Sequence, residues 1–168
     1  MNARRTVAPI AFAALALAAT LAPPFAVAAD TQPDVQPAHA AADKLGQARA
    51  LIAARQWAPA LDELKRVNDT GNADWNNLMG FVLRKGKTPD LAGSEKYYDA
   101  ALRIDPHHRN TLEYSGELYL MKGDLPKAQA RLATLQADCA GQCEQFTQLK
   151  TAIDGYKANG NKYVSTGW

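Results

Sequence analysis

Residues 109–135 read RNTLEYSGELYLMKGDLPKAQARLATL. Apolar residues recur at three- and four-residue steps on both sides of Lys122-Gly123-Asp124, the spacing of two short amphipathic helices joined by a turn. Gly116 and Ala128 put small residues where the two helices have to approach closely, and Tyr119, Leu125, Leu132 and Leu135 supply an apolar ridge between them. The same hairpin recurs twice upstream. Trp57, Leu91 and Leu125 lie 34 residues apart, as do Ala60, Ser94 and Ala128, then Leu64, Tyr98 and Leu132, then Val67, Ala101 and Leu135. Four aligned positions, all apolar or small, at one period are the signature of a helical solenoid. The first helices align on Ala48, Gly80 and Gly116 if the turn Gly86-Lys87-Thr88-Pro89-Asp90 is two residues longer than its counterparts. The linker before that unit is then two residues shorter, which restores the period.

These residues resemble the tetratricopeptide repeat family. Its pattern is a small residue in the first helix, a large apolar one three later and a Gly-Asp turn, then Ala, an aromatic or Leu, and Ala along the second helix. Gly116, Tyr119, Gly123-Asp124, Ala128, Leu132 and Leu135 fit, with Leu standing for the last Ala. Gly80, Leu83, Gly86, Ser94, Tyr98, Ala101 and Asp105-Pro106 fit the middle unit. In the first, Ala48, Leu51, Trp57, Ala60, Leu64 and Val67 match, but the turn Arg55-Gln56 lacks glycine. The resemblance implies an all-α solenoid of three repeats, at about 43–71, 72–106 and 107–138.

Helices are predicted at about 43–54, with Asp43 as N-cap, and at 57–67, 74–85, 90–104, 109–122 and 124–138. Pro59 and Pro126 are tolerated in first turns, and Asp105-Pro106 ends its helix because proline cannot continue the ladder. A seventh helix at 144–157 carries Phe146, Leu149, Ile153 and Tyr156 on one face. It is the predicted cap, in the segment 139–158, for a repeat that would otherwise expose its stacking surface. The tail 159–168 is rich in Gly and Asn, with Tyr163, Val164 and Trp168 able either to hang loose or to fold back.

At the other end, Arg4 and Arg5, an apolar run over 7–21 and small residues up to Ala28 have the build of a cleavable signal peptide, residues 1–28. Export to a periplasm or beyond follows, with no membrane insertion after cleavage. Residues 29–42, largely DTQPDVQPAHAA, have almost nothing to bury and read as a flexible lead. Cleavage takes two of 19 basic residues and none of the 17 acidic ones, leaving 17 of each and a formal net charge of zero. With no basic stripe, nucleic acid is excluded as a partner class.

By the resemblance, the groove-lining positions of the first helices are Leu45, Arg49, Ile52 and Ala53, then Asn77, Phe81, Arg84 and Lys85, then Glu113, Glu117, Leu120 and Met121. They describe a groove with a basic centre, an acidic wall and apolar spots, suited to a protein or peptide held by a few side-chain anchors. Each residue alone reads equally as part of a solvated helix face; only the set of twelve is a candidate site. The Lys and Asn clamp by which some family members hold a C-terminal carboxylate is missing, since Leu45, Arg49, Leu78, Asn110 and Tyr114 stand there.

Cys139 and Cys143 flank Ala140-Gly141-Gln142, and in an oxidising compartment they are expected to form a structural disulfide that fixes the cap. A redox-active pair or a metal-handling role is the alternative, but Cys-X-X-Cys spacing is missing and His39, His107 and His108 show no metal spacing. His107-His108 reads as a solvated turn. No nucleophile elbow, phosphate loop or His-Glu-X-X-His motif occurs. The sequence therefore predicts a non-enzymatic scaffold without cofactor, catalytic residue or metal. Self-assembly through the open end of the stack is a further alternative.

Overall fold

The computed structural model describes residues 43–164. Residues 1–42, on which the expected signal peptide and lead with His39 fall, and the last four residues of the tail lie outside the described residues. The described residues form seven helices: α1 Gly46–Ala53, α2 Trp57–Val67, α3 Ala73–Lys85, α4 Leu91–Ile104, α5 Arg109–Met121, α6 Leu125–Cys139 and α7 Glu144–Ala158. Among the described residues there is no strand, and no helix is long and apolar enough to cross a membrane. The chain is all-α, as the periodicity implied.

Four helices start on side-chain caps that satisfy an otherwise orphaned backbone N–H. Asn72 accepts from Trp75 N at 3.2 Å, Asp90 from Gly93 N at 2.8 Å, His108 from Thr111 N at 3.2 Å and Asp124 from Lys127 N at 3.1 Å. Asp43 does not cap α1 as expected. Its carboxylate accepts from Leu45 N at 3.0 Å and from Arg49, so the chain turns there and the helix proper begins at Gly46, after the cap position Leu45.

Three of the N-cap residues keep the 34-residue spacing. Gln56, Asp90 and Asp124, the N-cap residues of α2, α4 and α6, are 34 residues apart. Gln56 N donates to Leu51 O at 2.9 Å and Asp124 N to Tyr119 O at 2.8 Å, each spanning five residues. In the middle turn Asp90 N donates to Leu83 O at 3.0 Å across seven residues, the two-residue extension read from the sequence. Gly123 takes φ 77°, and Arg55, two periods earlier, takes φ 56° without glycine's freedom.

Each helix packs on the next, and α5 also packs on both α3 and α7. Ala60, Ser94 and Ala128, at one repeat position, are each 0 % exposed. One core cluster gathers Leu45, Ala48, Ala60, Leu64, Trp75, Met79 and Val82, with Trp75 Nε1 donating to Leu64 O at 2.8 Å. A second gathers Leu112, Tyr119, Leu120, Leu135 and, from α7, Leu149, Ile153 and Tyr156. Tyr163, in the segment after α7, packs on it, so this part of the tail folds back.

The small residues in the first helices have different neighbours. A Cβ on Gly80 would lie 2.6 Å from the Tyr98 ring of α4, within its own hairpin. A Cβ on Gly116 would lie 2.6 Å from Leu149, so α7 also comes close to α5 there. The Cys139–Cys143 disulfide closes the α6–α7 corner, where Ala140 and Gly141 take φ 51° and 73° and reverse the chain.

Candidate functional site

The face shared by α3 and α5 holds a concentration of charge and aromatic surface. Phe81 and Arg84 are one helical turn apart on α3, and Tyr114 and Glu117 hold the same relation on α5, so each pair shares a face. The Phe81 and Tyr114 rings pack with centroids 4.7 Å apart, and Trp57 meets Phe81 edge-on at 6.1 Å. The Arg84 guanidinium lies 5.7 Å from the Phe81 centroid and 5.6 Å from that of Tyr114, within cation–π range. Arg84 Nη1 donates to Glu117 Oε2 at 2.5 Å, an ion pair whose members are 3 % and 6 % exposed. Burial works against the Arg84 charge, but Tyr98 and Glu117 beside it, with a smaller contribution from Tyr163, hold the guanidinium pKa above its ordinary value. Its Nε, also buried, has no hydrogen-bond partner among the described residues.

Glu113, one turn before Glu117, is 4 % exposed and joins no ion pair among the described residues. Burial first, then the Glu117 carboxylate, push its pKa up to about 8. At neutral pH this carboxyl is therefore mostly protonated. Tyr114 is likewise raised, by burial and then by Glu113. Lys85, half-buried with its ammonium 5.8 Å from the Phe81 centroid, is lowered by burial and then by Arg84.

A second set of polar contacts ties the first helices together at the repeat interval. Arg49 Nη2 donates to Asp74 at 3.1 Å, and Asp74 meets His108 Nε2 at 3.0 Å. Thr111 Oγ1 donates to Asn77 Oδ1 at 3.1 Å, and Gln145 Nε2 donates to Asn110 Oδ1 at 2.8 Å. Asp74 and His108 are 34 residues apart, as are Asn77 and Thr111. His107 stands exposed in the turn, as the sequence reading has it, with Nδ1 2.8 Å from Asp138, whereas His108 departs from that reading: it caps α5 and is partly buried.

Of the twelve groove positions, Phe81, Arg84, Lys85, Glu113 and Glu117 converge on the α3–α5 face. Asn77 joins the polar ladder beside it, and Arg49 reaches that ladder from α1. Leu45 and Leu120 are core residues, and Ile52 packs on the core with partial exposure. Ala53 is exposed and Met121 half-buried. The sequence reading missed Tyr114, Asp74 and Thr111. The last two were open to the same period that found the turns, applied to polar residues instead of apolar ones. Among the described residues no three His, Cys, Asp or Glu side chains are grouped to hold a metal ion. No family model, curated protein or solved structure gives a significant match to the chain.

Proposed function

We propose that this chain is a non-enzymatic scaffold of three tetratricopeptide-like helix pairs closed by α7, binding a protein or peptide on the face shared by the first helices. The regular N-cap spacing and the polar ladder at the same interval support the repeat reading. The Cys139–Cys143 bond supports an oxidising compartment, in keeping with the signal-like N-terminal residues.

One observation carries the binding reading: Glu113 is a buried carboxyl that joins no ion pair of its own among the described residues, beside the Arg84–Glu117 pair and Tyr114. A core gains little from such a group. A basic side chain presented by a partner would restore its ionised form, while the partly buried Tyr114 offers apolar anchorage beside it. The expected occupant is thus an extended or helical segment with a Lys or Arg flanked by apolar residues.

In-cell photocrosslinking tests this, with probes at the half-buried rim residues Lys85 and Met121 and a control at the exposed Lys127 on α6. A discrete adduct from either rim site but not from the control is expected. No adduct, or equal adducts from all three sites, rejects the reading.

A further inference from the structure

Two of the three helix-pair turns depart from the repeat, and both departures face one pocket. At the first turn Arg55 holds φ 56° where Gly123 stands two periods later. A side chain in that conformation carries strain that glycine would not. At the second turn the two-residue extension supplies Lys87 and Thr88. The pocket between them has a volume of about 560 Å³. Trp57, Leu61, Val82 and Leu83 give it apolar walls, and Arg55 and Lys87 bring the charge. No acidic residue lines it, and neither cation joins an ion pair among the described residues. Arg55 also contributes to the positive potential that lowers Lys85, after burial and Arg84.

We propose that this pocket is a binding site for a small amphiphilic carboxylate, its apolar body seated among Trp57, Leu61, Val82 and Leu83 and its charge held by Arg55 and Lys87. The volume falls in the range of small-molecule sites, and the pocket has their usual build of apolar walls with few polar groups. Arginine's planar donor fork matches a carboxylate, which gives a reason for keeping Arg55 where glycine would fold with less strain. The site adjoins the α3–α5 face, since Trp57 lines it and also meets Phe81, but it does not depend on a peptide binding there.

Decanoate and decylammonium, with the same tail and opposite charge, are the probes, titrated calorimetrically and by amide chemical shift into the full chain. Decanoate is expected to bind at least about tenfold tighter, with the largest shifts at Gln56, Lys87 and Thr88. Arg55→Gly is expected to raise the melting temperature and yet weaken decanoate about tenfold, because relief of the backbone and loss of the anion partner act in opposite directions. Lys87→Gln is expected to weaken decanoate with the melting temperature unchanged. Equal binding of the two probes, no binding of either, or wild-type decanoate affinity in Arg55→Gly each overturns the proposal.

Discussion

Arg84 and Glu117 are buried together, and the energetic weight of the pair lies in what happens when one is removed. Arg84→Met leaves the Glu117 carboxylate without its cation in a nearly dry site, which should cost about 3–5 kcal/mol in urea unfolding. Adding Glu117→Met should recover most of that loss, since two apolar side chains of similar volume need no compensation. A double variant as unstable as the single one would show that packing, not charge, sets the cost. Glu113 gives the opposite sign of pH dependence to a salt-bridged carboxylate. Its pKa rises from an ordinary 4.5 to about 8 in the folded chain, so between these values the folded state holds a proton that the unfolded state has released. Its contribution to stability is complete below pH 4.5, falls through that window and is lost above about pH 8. Glu113→Gln should flatten this slope and exceed the wild type at pH 9 by on the order of 2–4 kcal/mol. Unfolding free energies measured across the window for both proteins decide it.

Two helical glycines make opposite predictions. In both, alanine would gain up to about 1 kcal/mol of helix propensity, so the surroundings decide the sign. At Gly80 the new Cβ would stand 2.6 Å from a Tyr98 ring that is itself 0 % exposed and 3.1 Å from Ser94 O. The ring cannot swing clear, and Gly80→Ala should destabilise by about 1–3 kcal/mol. At Gly155 nothing lies within 4 Å, and Gly155→Ala should stabilise by about 0.5–1 kcal/mol. Thermal denaturation of the two variants checks both. Gly80 also shows how much of the fold was legible. A small residue in register says that some helix comes close, and caps and turns are local chemistry, so helix bounds and the extended middle turn could be read to within a few residues. Which helix comes close is a tertiary fact, so the approach of α7 to Gly116 could not be read from the register. The same limit applied to the site. The resemblance placed Phe81, Arg84 and Glu117 on groove-lining faces, but the depth of their burial depends on what packs around them. Arg55 was legible only as a missing glycine.

At the scale of the molecule, α7 is held by contacts with α5 and α6 and by the bond between Cys139 and Cys143. In a stack whose units touch only their neighbours, loosening one end should not spread evenly. Replacing both cysteines by serine removes a short closed loop from the unfolded state, a loss of about 2 kcal/mol on loop entropy alone. The buried contacts of Leu149, Ile153 and Tyr156 remain, so α7 should still dock, but open more often than before. Hydrogen exchange is the discriminating measurement. Amides of α7 should lose protection first, those of α5 partly because Leu149 seats against Gly116, and those of α2 and α3 least. Uniform loss across all seven helices would mean that the chain unfolds as one cooperative unit, and the description of α7 as a separable cap would fail. Loss confined to α7 would identify the disulfide as the clasp of that cap.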